Sequence, residues 1–312
     1  MISKQILSDN FKDLDVIANR EKNNYSNAKP FPNITFNNFF NNDFLDLIHK
    51  EFPDLSKMQD SQKYNVKNEI KLSNKKYENF PKTIKSFIDF LNSDVFLNFL
   101  QNLTSIKEKL IADPHLEGGG LHEIKKGGVL KIHTDFNRHP FLELDRRINV
   151  LIYLNKNWKD AYGGHLELWN ESMSECEKKI LPIFNTMVIF STTDFSNHGH
   201  PEPLKCPNEI SRKSIALYYF SSGRPKEEIS LKKVKNKTYF KSRFGIKGDA
   251  DEKDKEESEI VGIPPVQFNV QRQGEFQDGD PRIERCHARK QDTVHGDAYV
   301  QSASMAGGFA NV

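Results

Sequence analysis

The sequence predicts a mainly β protein with supporting helices, its strands forming a sandwich or barrel. Three observations carry this. From about residue 116 to 222, short β-prone runs alternate with clusters of Gly, Pro, Asn and Asp, the spacing of a sandwich or barrel. Before residue 107, apolar residues recur at helical intervals instead. Beyond residue 246 both patterns stop: 246–259, IKGDADEKDKEESE, is dense in charge, and 265–312 contains no leucine.

The elements follow in order. Residues 1–30 are polar with weak helical signals, and Phe31 to Phe36 alternates like a short strand. Asn41 or Asn42 can cap a helix carrying Phe44, Leu45, Leu47, Ile48 and Phe52, which Pro53 closes. Pro81 suits a first helical position, with Ile84, Phe87, Ile88 and Leu91 as an apolar face. Ser93 can cap a further helix bearing Val95, Phe96, Phe99 and Leu100. These stripes need a surface to cover. The β-prone runs supply it: Val129–Phe136, Ile148–Leu154, His165–Trp169, Thr186–Ser191 and Ser214–Phe220. The expected division is an N-terminal helical support at 1–107, a β domain at 108–225, a charged extension or linker at 226–260, and a C-terminal tail of unassigned role at 261–312. The tail is expected to be dispensable for the chemistry of the β domain.

Composition narrows the function. The 45 basic and 43 acidic residues leave a net charge of +2, so no electrostatic reason exists to expect nucleic acid or membrane as partner. No apolar stretch approaches the ~20 residues that span a bilayer, and MISKQILSDNFKDLD lacks the apolar run of a signal peptide. Cys176, Cys206 and Cys286 are odd in number and far apart, which suits reduced thiols in a cytoplasmic protein.

The chemistry concentrates in two words, His133-Thr134-Asp135 and His198-Gly199-His200. In a strand, residues i and i+2 share a face. The run from Val129 then sets Leu130, Ile132 and Phe136 on one side and His133 and Asp135 on the other. A second histidine from a distant strand would complete a two-histidine, one-carboxylate set with open positions, the arrangement of non-haem Fe(II) oxygenases. Arg212 opens an apolar strand, Arg212–Phe220, and a guanidinium can hold a carboxylate through two parallel hydrogen bonds. If that strand borders the His198 strand, Arg212 reaches the far carboxylate of a dicarboxylic co-substrate.

These residues, with Gly118–Ile124, Arg146–Asn155, Gly163–Trp169 and Pro182–Asn185, resemble the 2-oxoglutarate/Fe(II) oxygenases of the prolyl-4-hydroxylase-like group. The likeness is close over 116–222, looser back to Phe31, and does not reach 265–312. It implies a double-stranded β-helix, or jelly roll, at 108–225. It implies Fe(II) on His133, Asp135 and His198, with His200 as rival for the third position. Arg212 would anchor 2-oxoglutarate and Tyr153 would hydrogen-bond the same carboxylate. Ascorbate is an optional further cofactor. Oxygen and 2-oxoglutarate would be consumed, with succinate and CO2 released, in hydroxylating an unactivated C–H. The substrate is an unidentified small molecule or peptide, with peptidyl proline, an amino acid or a saccharide as classes. Asn137, His139 and His200 are substrate-contact candidates, followed by Arg146, Arg147, Glu167 and Trp169. Desaturation or epimerisation needs the same cofactors, and a non-catalytic jelly-roll metal- or ligand-binding module is the alternative of a different class.

Overall fold

The computed structural model describes residues 3–229 and 236–246. The expected charged stretch at 246–259 lies outside these apart from its first residue, and the tail at 261–312 lies wholly outside them. Helices and strands run in the order α1 (Ser3–Ile6), α2 (Leu14–Ser26), β1 (Asn33–Asn37), α3 (Asn42–Glu51), β2 (Gln62–Val66), β3 (Glu69–Asn74), α4 (Lys82–Leu91) and α5 (Asp94–Thr104). Then follow β4 (Ile111–Ala112), β5 (Gly120–Ile124), β6 (Leu130–Thr134), β7 (Asp145–Tyr153), β8 (Leu166–Trp169), β9 (Cys176–Ile180), β10 (Thr186–Ser191), β11 (Asn197–His200), β12 (Arg212–Ser221) and β13 (Tyr239–Phe240).

Capping explains where the helices begin. Asn41 accepts from the Phe44 amide at 3.0 Å, and Ser93 from the Phe96 amide at 3.4 Å, each satisfying an orphan donor of the first turn. Pro81 sits one residue earlier than expected, as the residue flanking α4. Ile84, Phe87, Ile88 and Leu91 of α4 and Phe96, Phe99 and Leu100 of α5 are buried. They pack in one cluster with Ile148, Val150, Ile152, Ile189, Ile215 and Leu217 of the sheet. The helices thus cover one face of β7, β10 and β12.

The sheet runs β1-β10-β7-β12-β5-β3-β6-β11-β8-β9, with β2 on β3, β4 on β12 and β13 on β6; its pairings are antiparallel. Residues from its two halves meet around one cavity: His133 on β6 and His198 on β11 line the same space as Tyr153 on β7 and Arg212 on β12. The sheet is therefore curled into the jelly roll expected at 108–225.

The boundaries differ from expectation in three places. Residues 62–74 form the hairpin β2–β3, so the N-terminal segment adds strands as well as helices. The arginine strand β12 lies between β7 and β5, not beside the His198 strand. The segment read as a charged linker from 226 holds β13, where Tyr239 pairs with Thr134 and Phe240 with His133. A two-residue strand has no periodicity to detect; its place comes from packing against β6. Among the described residues no helix is long and apolar enough to cross a membrane.

Candidate metal and co-substrate site

The pairing of β6 with β11 sets His133 directly across from His198. Their ring centroids are 4.4 Å apart. Asp135, just past the end of β6, brings Oδ1 to 3.5 Å from His133 Nε2 and Oδ2 to 3.5 Å from His198 Nε2. One ligand atom from each residue lies within 4.8 Å of the others, and all three side chains are buried. His200 is not in this group.

Local bonds fix how the imidazoles face. His133 Nδ1 lies 2.8 Å from the Lys131 carbonyl, and His198 Nδ1 lies 2.9 Å from the Ser196 carbonyl. A carbonyl only accepts, so each Nδ1 carries the proton and each Nε2 offers a lone pair toward Asp135. Burial pushes His198 down to about 4 despite the nearby Asp135, which keeps the ring neutral. Burial opposes the charge of Asp135, but Arg146 and the two imidazoles outweigh it and hold the carboxyl well below its usual range. Two neutral imidazoles and one carboxylate, each held by a second bond, suit a divalent cation. The donor set fits Fe(II) with coordination positions to spare.

Arg146 is the principal support of Asp135. Its Nη2 donates to Asp135 Oδ2 at 2.9 Å, and Asn149 donates to the same oxygen at 2.8 Å. The guanidinium also grips Asn149 Oδ1 through Nε and Nη2, and lies over the Tyr218 ring at 3.3 Å and the Phe136 ring at 4.5 Å. A register shift between Tyr219 and Phe220 of β12 lets Arg146 and Asn149 both face the cavity, although they are three residues apart. Phe136 lies beyond the last residue of β6, so it turns into the cavity rather than following the alternation expected for it.

This cluster and Arg212 line one cavity of about 300 Å³. Arg212 is 5 % exposed and makes no ion pair among the described residues. Its Nε donates to the Gly164 carbonyl at 2.8 Å and its Nη2 to the Tyr153 hydroxyl at 3.2 Å. Burial raises the Tyr153 pKa, so the phenol keeps its proton. Gly164 has φ +73°, and a Cβ there would lie 2.6 Å from Leu204 and 3.0 Å from Arg212 Cδ. Only glycine allows both that backbone and that approach. A buried guanidinium without an anionic partner is a strong carboxylate receptor.

The other expected contacts divide. His200 lines the cavity, is buried, and makes no well-formed hydrogen bond within the protein at either ring nitrogen. Asn137 is tied to Asp194 at 2.9 Å and is not among the cavity-lining side chains. His139 does not face the cavity either. Its Nδ1 accepts from the Phe141 and Leu142 amides at 3.2 Å, and its ring packs on Phe220 at 5.1 Å, so it braces the loop. Arg147 points away from the cavity to Glu108 and Glu228, and Glu167 binds Trp169 Nε1 and Lys179. Sequence reasoning missed Asn149, His122, the hairpin residues Tyr64, Glu69 and Lys71, and Phe240, all of which line the cavity. Asn149 was findable, being an amide inside the otherwise apolar run from Ile148 to Tyr153 of β7.

Comparison with known proteins fits this geometry. The sequence profile described as "2OG-Fe(II) oxygenase superfamily" matches residues 119–220. A prolyl 3-hydroxylase from Xenopus laevis is 27 % identical over 192 residues, 58 % of this chain and 34 % of its own. The chain thus spans about a third of that relative's length. A prolyl hydroxylase from Trichoplax adhaerens, solved with a hypoxia inducible factor peptide fragment, superposes with TM-score 0.50 at 18 % identity, covering 68 % of this chain and 92 % of that one. For a prolyl-4-hydroxylase from Pseudomonas putida the values are 0.46, 11 %, 66 % and 100 %.

Proposed function

We propose, from the match of residues 119–220 to the profile described as "2OG-Fe(II) oxygenase superfamily", that this chain is an Fe(II)- and 2-oxoglutarate-dependent dioxygenase that hydroxylates a C–H bond. One observation carries the reading: a single cavity has a two-histidine, one-carboxylate cluster at one place and a buried arginine with no anionic partner among the described residues at another. A bare metal-binding module has no use for the second feature.

Each residue then has a task. His133, Asp135 and His198 would hold the iron, which when bound supplies the chemistry that couples 2-oxoglutarate decarboxylation to substrate oxidation by O2. Arg146 and Asn149 hold Asp135 in the orientation that shares it with both imidazoles. The Lys131 and Ser196 carbonyls keep each Nε2 free of a proton. Arg212 and Tyr153 bind the distal carboxylate of 2-oxoglutarate, fixing the direction in which its 2-oxo acid end lies. Ile124, Leu130, Leu151, Leu166, Phe136 and Phe240 exclude water from the space between.

For the substrate we propose a prolyl residue in a peptide, on the strength of the prolyl 3-hydroxylase relative. A reducing cytoplasmic location, and ascorbate as an accessory reductant, complete the reading. The test is succinate release from 2-oxoglutarate by the Fe(II)-loaded protein, with and without ascorbate, across prolyl peptides, amino acids and saccharides. A gain of one oxygen on a prolyl peptide supports hydroxylation; loss of two hydrogens or an unchanged mass reassigns the outcome to desaturation or epimerisation. Replacing His133, Asp135 or His198 by Ala is expected to abolish succinate release in a folded protein. A cavity that binds metal but never releases succinate returns the chain to the binding-module class.

A further inference from the structure

We infer that His200 is a co-substrate-binding residue: its imidazole donates a hydrogen bond to the carboxylate that Arg212 holds, and so selects dicarboxylic over monocarboxylic 2-oxo acids. The inference rests on the proposed function and adds to it a determinant particular to this chain.

The first observation is an unfilled hydrogen-bonding capacity. His200 is 3 % exposed, yet neither ring nitrogen makes a well-formed hydrogen bond within the protein, the Glu202 backbone giving the ring only a loose contact. Buried polar groups are almost always paired, and a buried side chain left unpaired in a cavity wall points to something the cavity takes up. The metal does not meet this need, because the ligand group consists of His133, Asp135 and His198.

The second observation is position along the strand. On β11, Asn197 pairs with Trp169, His198 with Leu168 and Gly199 with Glu167 of β8. His200, the last residue of β11, lines both the cavity that Arg212 enters and a cleft that Gly164 walls. The Gly164 carbonyl is the one that accepts from Arg212 Nε at 2.8 Å. His198 therefore stands at the metal end of β11 and His200 at the guanidinium end. That cleft, of about 270 Å³, is walled also by His165, Pro201 and Glu202. The imidazole stands between cavity and cleft, so one nitrogen serves the co-substrate while water in the cleft serves the other.

Calorimetric titration of the Mn(II)-loaded protein tests this. His200→Leu removes the donor and keeps the bulk. It is expected to weaken 2-oxoglutarate binding by about 10- to 100-fold, the range for a hydrogen bond to a charged group. Binding of Mn(II), and of pyruvate, which lacks the distal carboxylate, is expected to stay unchanged. His200→Gln, which keeps a donor, is expected to recover part of the loss. Should the leucine variant not fold, wild-type Zn(II)-loaded protein with isotope-labelled histidine gives the answer: 2-oxoglutarate, and not pyruvate, is expected to shift the His200 ring N–H resonance. Equal 2-oxoglutarate affinity in His200→Leu, an equal loss for pyruvate, or lost Mn(II) binding overturns the assignment. Wild-type protein that fails to bind 2-oxoglutarate overturns the proposed function itself, a distinct result.

Discussion

At the scale of the residue, strand alternation decided what the sequence could disclose. Arg212 and Lys213 are neighbours on β12, so they face opposite ways. Arg212 enters the cavity, while the Lys213 ammonium lies 5.2 Å from the Phe52 ring on the helical side. The same alternation put His133 and Asp135 on one face, whereas His198 was preferred to His200 only through the resemblance, because alternation puts both on one face. His139 was misread because it lies in a loop, where spacing says nothing about direction. Titration was not legible at all, since it depends on burial. Burial, with the Lys71 ammonium near, pushes His122 down to about 3, and burial pushes His198 down to about 4. Both are neutral when folded, whereas the unfolded chain takes up protons below about 6.5. Their contribution to stability is thus complete above pH 6.5 and is lost as pH falls toward 4. Each imidazole gives a slope of roughly 1.4 kcal/mol per pH unit in that window. Urea unfolding of the metal-free protein at several pH values is expected to show stability falling on acidification, and His122→Leu to remove part of the slope. A slope unchanged by His122→Leu would mean that this ring is not held neutral.

At the scale of the element, the legible pieces were those that bury a face of their own. α4 and α5 each carry a complete apolar stripe, and β7, β10 and β12 are long runs with one side on the helices. The hairpin β2–β3 was not legible, because its residues are mostly half-exposed or exposed and read as polar loop. β13 was not legible because two residues show no period. Its weight lies in contact: Phe240 is 6 % exposed and its ring lies 5.7 Å from that of His133. Truncating a buried phenylalanine costs about 3 kcal/mol or more. Phe240→Ala is accordingly expected to lower stability by about that amount and to weaken metal binding, because the ring backs the His133 imidazole. A chain ending at Ile246 is expected to keep wild-type metal affinity, and one ending at Ile229 to lose it. If both bind alike, β13 is an ornament on β6 rather than part of the site.

At the scale of the whole molecule, the curled sheet brings together residues that the chain keeps far apart, from Lys71 to Phe240, around one cavity. Such a site couples its ligands, because the first to bind completes the place where the second is held. 2-Oxoglutarate meets Arg212 with one carboxylate, but its other end has nothing to chelate until a metal joins His133, Asp135 and His198. Metal alone is expected to raise the melting temperature, and 2-oxoglutarate alone to raise it little. At a hundred times its dissociation constant, a ligand of the folded state adds about 2.7 kcal/mol. For a domain of this size that is roughly 5–10 °C at 2–4 °C per kcal/mol. 2-Oxoglutarate added to the Mn(II)-loaded protein is expected to give an increment of this size. Arg212→Ala leaves a bound carboxylate without its partner, a loss of about 3–5 kcal/mol, or a hundredfold to several-thousandfold in affinity. In that variant the 2-oxoglutarate increment is expected to vanish at the same concentration while the Mn(II) increment stays. Lys213→Ala, on the opposite face, is expected to keep both. Scanning calorimetry of the three proteins reads all of this at once. Should Arg212→Ala retain the 2-oxoglutarate increment, the carboxylate anchor lies elsewhere in the cavity, and the assignment of Arg212 and Tyr153 falls with it.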